Sequence, residues 1–359
     1  MTKKRVIDLF SGAGGLSEGF RQAGFEIIGA VEFKTDPCNT FKKNFPNANV
    51  IEGDIKNVNL AELDFGKVDI IIGGPPCQGF SSLNRHNKNL EDDPRNRLFE
   101  EFLRFVDYFE PQAILIENVR GILTSKDGYA KTTIENFFIN RGYSVDSAIL
   151  DASDFGVPQK RKRAFFVAFK NPICTNFKFE RINEYKLNNK VKLVDVFSDL
   201  LKINESDVNS DTHEYPPNNN SDYAHYLTEG SDVISNHFIK YPSEIVRNRV
   251  KHVPQGGNWK NLDERYFPSL RDNRHSNYLK RLDLNDQSIT IDTGHDVYFH
   301  PIFDRVPTVR ESARIQSFPD KFIFTGAPRS QLKQVGNAVP PLLAKSIALM
   351  IKEILDENC

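Results

Sequence analysis

Apolar and polar positions along this chain fall into blocks that predict strands and helices in turn. Residues 5–10 (Arg-Val-Ile-Asp-Leu-Phe) predict a strand that runs into a glycine-rich turn, Ser11-Gly12-Ala13-Gly14-Gly15. A helix is expected over 16–23. A second strand over 26–31 ends in Glu32, and Asp36-Pro37 starts a helix reaching about Asn44. The run 68–72 predicts a short buried strand, stopped by Gly73-Gly74-Pro75-Pro76. Helical periodicity returns over 97–109, and 113–116 predicts another buried strand that closes on Glu117-Asn118. Later strands are expected over 145–150 and 164–169. Strands alternating with helices predict an α/β fold, with a doubly wound, Rossmann-like, mostly parallel sheet.

The texture changes after about residue 175. Residues 201–222 carry runs of Asn, Ser and Asp with two prolines, the composition of a loop or linker. From about 223 to 300 the chain is polar, rich in Arg, His, Tyr and Asn, and without a clear period. Regular structure resumes with a helix over 308–316 and a strongly amphipathic one from 338 to about 355. The expected organisation is a large domain begun by 1–175, a smaller inserted domain over 176–304, and a return to the large domain over 305–359.

Composition narrows the class. The 359 residues are 39% hydrophobic, enough for a substantial core. The formal net charge of −1 gives no global cationic signal, so any nucleic-acid groove must be local. The four cysteines, Cys38, Cys77, Cys174 and Cys359, lack Cys-x-x-Cys spacing, which disfavours zinc and redox motifs and fits a reducing cytoplasm. The histidines are scattered, so no metal is expected. No stretch approaches the ~18–20 apolar residues of a membrane span, and the basic start over 1–5 leads into a strand instead of a signal region.

Three strand ends carry a cofactor pattern. A glycine turn between strand and helix presents backbone N–H groups to a ligand. Glu32, at the next strand end, is placed to accept ribose hydroxyls, and Asp54, after Gly53, suits an adenine edge. Gly-x-Gly-x-x-Gly is absent in register, which weakens a dinucleotide reading. A second set carries reactivity. Cys77 sits in Gly73-Gly74-Pro75-Pro76-Cys77-Gln78-Gly79, a stiff turn at a strand exit. A lone cysteine is more often an inert small hydrophobe, but this context supports a reactive thiol. Glu117 ends a neighbouring strand. It could cap a helix; paired with Cys77, it is a candidate acid for a ring nitrogen. Four cations, 160–163, follow Pro158. Such a run is usually a solvated face.

The order of these pieces resembles the bacterial DNA cytosine-5 methyltransferases of the type II restriction-modification class. The resemblance rests on Phe10-Ser11-Gly12-Ala13-Gly14-Gly15, Glu32, Asp54, Pro75-Pro76-Cys77-Gln78 and Glu117-Asn118-Val119. It continues through Gln159-Lys160-Arg161-Lys162-Arg163, Arg310-Glu311 with Ala313-Arg314 and Gln316, and Gly336-Asn337-Ala338-Val339-Pro340. It covers about 1–170 and 305–359. It implies the S-adenosylmethionine-dependent methyltransferase fold, methyl transfer to carbon 5 of a flipped-out cytosine, and S-adenosyl-L-homocysteine as product. Phe10 would stack on adenine, and Ala13, Gly14, Gly15 and Leu16 would line the methionine end. Glu32 and Phe33 would hold the ribose side, Asp54 and Ile55 the adenine. Pro75, Leu98, Asn337 and Val339 would complete the pocket. Cys77 would attack carbon 6, Glu117 would contact ring nitrogen 3, and Arg163, supported by Arg161, would contact the base and its phosphate. The loop over 78–97 would close on the site, with Arg95 at its far hinge.

The inserted segment matches the family's target-recognition region by position alone. Arg247, Arg249 and Lys251 cluster there with His252, as do Arg271 and Arg274 with His275, Lys280 and Arg281; these are phosphate-contact candidates. Gln255-Gly256-Gly257-Asn258-Trp259 reads equally as a recognition loop or as a turn holding a packed tryptophan. Gln78 and Ser81 are further DNA-contact candidates. The implied partner is double-stranded DNA, acted on by a cytoplasmic, nucleoid-associated monomer, with a separately encoded restriction endonuclease as a possible cognate. Two rivals remain. A transfer-RNA methyltransferase of the same fold would carry a late Cys-Phe-Thr, where this chain has Cys174-Thr175. A catalytically silent DNA-binding homologue would not need Cys77 and Glu117.

Overall fold

The computed structural model describes residues 3–76, 97–124, 128–208, 210–216, 221–266, 278–291 and 298–357. The chain forms two compact units. The first comprises Met1–Phe155, Arg161–Asn188 and Ala338–Cys359; the second comprises Gly156–Lys160 and Asn189–Asn337.

The first unit is built on a seven-stranded sheet. Its elements run β1 (Arg5–Leu9), α1 (Gly15–Gln22), β2 (Glu26–Glu32), α2 (Thr35–Asn44), β3 (Asn49–Glu52), β4 (Ile70–Gly73), α3 (Arg97–Phe109), β5 (Ala113–Val119), α4 (Tyr129–Ile139), β6 (Tyr143–Asp151) and β7 (Lys162–Lys170). The strand order is β3-β2-β1-β4-β5-β7-β6. The β3-β2-β1-β4-β5 ladders are parallel, and β7 runs antiparallel between β5 and β6. Ile70, Ile71 and Ile72 of β4 are fully buried, as expected of a central strand covered on both faces. On one side Phe99, Phe102, Phe105 and Val106 of α3 pack with Ile71, Ile114 and Ile116 in a single core. The spacing of those four residues gives the helix one apolar stripe.

The C-terminal helix, Pro341–Glu357, belongs to this unit and packs on α1. The approach is close. A Cβ on Gly19 would lie 2.4 Å from Ala344 Cβ and 2.6 Å from the Pro341 carbonyl oxygen. A Cβ on Gly15 would lie 2.3 Å from the Val339 carbonyl oxygen. Only residues without a side chain fit at these two positions. Among the described residues, no helix is long and apolar enough to cross a membrane.

The second unit has short elements: helices Leu193–Phe197, Asp222–Thr228, Glu244–Lys251, Val309–Ile315 and Pro328–Asn337, and a two-stranded parallel pair, Lys280–Arg281 with Tyr298–Phe299. Much of its interior is ionic. Arg314 bridges Asp199 at 2.6 and 3.0 Å and Asp320 at 2.9 and 2.6 Å. Arg305 bridges Glu311 at 2.7 and 2.8 Å and Glu205 at 2.8 Å. Removing one partner of such a pair leaves a buried charge uncompensated, a loss of about 3–5 kcal/mol.

These ion pairs explain where the chain changes unit. The sequence places the boundaries at 175/176 and 304/305; the compact units divide after Asn188 and after Asn337. Residues 305–337 stay with the second unit because Arg305, Arg310 and Arg314 bond to groups at 199–236. Described residues of the 201–222 segment take part in packing and capping that its composition does not imply. Ile203 packs with Leu200, Ile234 and Ile239, and helix Asp222–Thr228 is capped by Ser221.

Candidate active site

Because β1 to β5 are parallel, their C-terminal ends share one edge, and strand order reverses between β1 and β4. Ligands of open α/β sheets bind at such a switch point. The last pairs, Leu9↔Val31, Glu32↔Glu52, Leu9↔Gly73 and Gly73↔Ile116, set the edge in register. Phe10, Glu32, Asp54, Pro75 and Glu117, singled out from the sequence, lie at this edge or in the turns beside it.

At β1, the chain turns by left-handed backbone at Phe10 (φ 59°), Gly12 (φ 54°) and Gly14 (φ 96°). Phe10 is half-buried against the sheet core. A Cβ on Gly12 would meet nothing within 4 Å, so open space lies beside this turn. Glu32 is fixed by two backbone amides: Gly12 N–H donates to Oε2 at 2.9 Å and Lys34 N–H donates to Oε1 at 2.8 Å. Each oxygen keeps a lone pair for a further donor. The Gly53 N–H donates to the Glu32 carbonyl at 2.9 Å, which brings Asp54 alongside. Asp54 accepts from Lys56 N–H at 3.1 Å and caps the short turn Ile55–Asn57. Phe33 is 70% exposed next to Glu32.

These features fit a nucleoside carrying a charged tail. They combine an open glycine cradle, a carboxylate pinned with spare acceptors, an exposed aromatic ring, and buried polar atoms without partners at Ser11 Oγ and Asp8 Oδ1. Ala13, Gly14, Gly15, Leu16, Ile55, Pro75 and Val339 are buried around the cradle or in the core beneath it, and Leu98 is half-buried against that core. Asn337 ends the helix Pro328–Asn337, exposed, in the second unit.

Asp8 was not singled out by the sequence. It is fully buried on β1, with Ser17 Oγ donating to Oδ2 at 2.7 Å. Burial pushes its carboxyl up to about 7, the Ser17 hydrogen bond opposes this, and the Glu32 charge adds to it. A carboxyl raised in the fold contributes stability that is full below its usual range near 4 and is lost as pH rises through 7. Asp8→Asn therefore gains on wild type by on the order of 4 kcal/mol between pH 4 and pH 8. Paired thermal melts without ligand check this; a difference independent of pH would refute it.

The second cluster joins β4, β5 and β7. Glu117 lies opposite Phe165 and Val119 opposite Arg163, so Arg163 is the diagonal, same-face neighbour of Glu117. Arg163 Nε lies 3.1 Å from Glu117 Oε1. A Cβ on Gly74 would lie 3.3 Å from Glu117 Oε2, so the end of β4 faces this carboxyl directly. Burial raises the Glu117 carboxyl above its usual range, and the charges of Arg163 and Arg161 partly offset this. Arg161 is fully buried. Desolvation first, then repulsion from Arg163, draws its guanidinium down to about 9, so it is still a cation at neutral pH.

The cationic run 160–163 is thus not one solvated face. Lys160 pairs with Asp286 at 2.8 Å, Arg161 is interior, Lys162 is exposed and Arg163 meets Glu117. Cys77, Gln78, Ser81 and Arg95 lie outside the described residues, as do Arg271 and Arg274.

In the second unit, Arg247 and Lys251 are exposed on helix Glu244–Lys251, with Arg247 over the Tyr241 ring. Arg249 donates to the Tyr266 carbonyl at 3.0 Å. Arg281, grouped from the sequence with the phosphate-contact cations, is buried and paired with Asp304, so that pair occupies its charge. Trp259 packs with Val250, Leu279 and Phe299. Gln255 is exposed and accepts from Leu284 N–H at 3.1 Å. Gly256 takes φ 74°, and a Cβ on Gly257 would crowd Asn261 and Pro254 at 2.8 and 2.9 Å. Both glycines are needed by this turn's own packing.

Residues 4–353 match the model of the C-5 cytosine-specific DNA methylases. The type II methyltransferase M.DdeI of Desulfomicrobium norvegicum is 36% identical over 96% of this chain and 87% of its own length. The type II methyltransferase M1.HphI of Haemophilus parahaemolyticus is 35% identical over 95% of this chain and 85% of its own. A solved DNA modification methyltransferase encoded within a prophage of E. coli superposes with a TM-score of 0.81 at 29% identity, covering 99% of this chain and all of that one. Sheet order, strand-edge chemistry and sequence likeness along nearly the whole length lead to one conclusion: the chain belongs to the C-5 cytosine-specific DNA methylase family and is a DNA cytosine-5 methyltransferase of the type II kind.

Proposed function

We propose that this enzyme methylates a cytosine swung out of duplex DNA, through a transient bond from Cys77 to carbon 6 of the ring. The observation that carries this reading is the Glu117–Arg163 pair, set against the end of β4 two residues before Pro76-Cys77. S-adenosylmethionine supplies the electrophilic methyl when bound. The glycine cradle over 11–15, Glu32, Phe33 and Asp54 are the residues that would hold it.

Carbon 5 of cytosine is a weak nucleophile. Addition of the Cys77 thiolate at carbon 6 pushes the ring's electrons onto carbon 5, and a proton from Glu117 to ring nitrogen 3 takes up the developing charge. Carbon 5 then takes the methyl group, and the electron pair of the broken methyl–sulfur bond stays on the donor's sulfur. A base removes the carbon-5 proton, the ring double bond re-forms, Cys77 leaves as thiolate, and nitrogen 3 returns its proton to Glu117. Arg163 orients Glu117 and offers donors to the base; the buried Arg161 adds positive charge that acts on Glu117. Extrusion of the base costs on the order of a few kcal/mol, offset by these contacts.

The test uses duplex DNA containing 5-fluorocytosine, whose fluorine cannot leave as a proton does. With S-adenosylmethionine, wild type is expected to form a denaturation-resistant complex and Cys77→Ala none. A wild-type protein that methylates ordinary DNA but traps nothing would overturn the covalent route.

The second unit is assigned to target recognition, with exposed Arg247 and Lys251 on DNA phosphates and Gln255 nearby for base contact. Exchanging 189–337 for the matching segment of a relative is expected to transfer the methylated sequence. Unchanged specificity, read by methylome sequencing, would place recognition elsewhere. A separately encoded endonuclease reading the same sequence is the expected genetic partner.

A further inference from the structure

We propose that Asn118 is a positioning residue for methyl transfer: its side-chain amide fixes the backbone at Pro75, two residues before Cys77. This rests on the assignment of Cys77 as nucleophile above. The β4–β5 ladder ends at Gly73↔Ile116. Beyond it β4 continues into Gly74-Pro75-Pro76, and neither proline has an N–H to offer a neighbouring strand. Carbonyl oxygens are then the backbone's hydrogen-bonding groups at 75 and 76. Asn118 is buried one residue after Glu117, and its Nδ2 donates to the Pro75 carbonyl at 2.9 Å. Its Oδ1 accepts from the Val119 N–H at 3.0 Å, which orients the amide so that Nδ2 faces Pro75.

The side chain thus stands in for the ladder bond that proline abolishes. It ties the segment entering Cys77 to the strand carrying Glu117. The Gly74–Glu117 approach, 3.3 Å from an ideal Cβ, draws the same two strand ends together from one residue earlier. Both reacting groups are therefore referenced to a single pair of neighbouring residues. An aspartate at 118 has the same shape but, ionised, no donor, and it would set a carboxylate oxygen against the Pro75 carbonyl. An alanine removes donor and acceptor together.

The experiment measures the rate of covalent trapping on 5-fluorocytosine duplex DNA with saturating S-adenosylmethionine, per folded enzyme. Folded enzyme is counted by S-adenosylmethionine binding at the β1–β2 end. Asn118→Asp and Asn118→Ala are each expected to trap about 10- to 100-fold more slowly than wild type, with S-adenosylmethionine affinity and DNA affinity within about threefold. A displacement of the order of an ångström is enough for that loss. If the alanine variant does not fold, the isosteric aspartate variant carries the test. Trapping at the wild-type rate in a folded variant overturns the proposal. So does a loss explained wholly by a smaller folded fraction. Failure of wild type itself to trap would instead sink the Cys77 route, and the two failures are distinguishable in one gel.

Discussion

Cys77→Ser is expected to lower DNA methylation by on the order of 10⁴-fold or more, while binding of S-adenosylmethionine and of duplex DNA stays near wild type. The argument is chemical. Near neutral pH a few per cent of an ordinary thiol is already thiolate, and thiolate sulfur is intrinsically a strong nucleophile. A hydroxyl is a far weaker acid, and among the described residues of the β4–β5 edge there is no imidazole to deprotonate it. The described groups at this edge include the Asn118 amide on Pro75, the Glu117 carboxyl beside Gly74, and the Arg163 and Arg161 guanidiniums that act on Glu117. Those favour an anion but do not generate an alkoxide. Single-turnover methyl transfer with tritiated methyl donor checks this, alongside binding isotherms for both substrates. Turnover within tenfold of wild type would show that position 77 does not attack the base.

Glu117→Gln is expected to reduce turnover by about 10²–10⁴-fold, with DNA binding retained. The substitution keeps size and one acceptor but removes the proton that the proposed route delivers to ring nitrogen 3. The wild-type carboxyl is suited to the task because burial raises it, while Arg163 at 3.1 Å and Arg161 limit the rise. A group that acts as an acid loses effect as pH climbs through its own range. Wild-type turnover should therefore fall on the alkaline side of a raised carboxyl pKa, and the glutamine variant should lack that limb. A variant with wild-type rate, or with the same alkaline limb, would remove Glu117 from the proton path.

Much of the first unit could be read from sequence because its information is local. The apolar run at 70–72, the glycines at 12–15 and the carboxylates at 32 and 117 each sit where a strand stops, and parallel topology then gathers strand stops on one edge. Strand and helix limits fall within a few residues of the pattern, as for Arg5–Leu9 and Arg97–Phe109. What escaped was contact between segments distant in sequence. Asp8 looks like a polar interruption in a strand until Ser17 and burial give it a partner and a raised pKa. Asn118 looks like the polar close of a strand until Pro75 is beside it. The second unit hid more thoroughly. Its interior is held by arginine–carboxylate pairs spanning 199 to 320, which produce no hydrophobic period to detect. One local clue was present: Thr308-Val309-Arg310-Glu311 has capping-box spacing, and Thr308 and Glu311 do close that box at the start of the helix.

The seam between α1 and the last helix has a consequence for synthesis. The notch at Gly15 and Gly19 is filled by residues from 338 onward, more than 300 positions downstream. On the ribosome, α1 must wait, half-clad, until residues 338–345 have emerged. Burial of the α1 glycine face is thereby a late event in the synthesis of this unit, and chains cut short before residue 338 leave Gly15 and Gly19 without their packing partners.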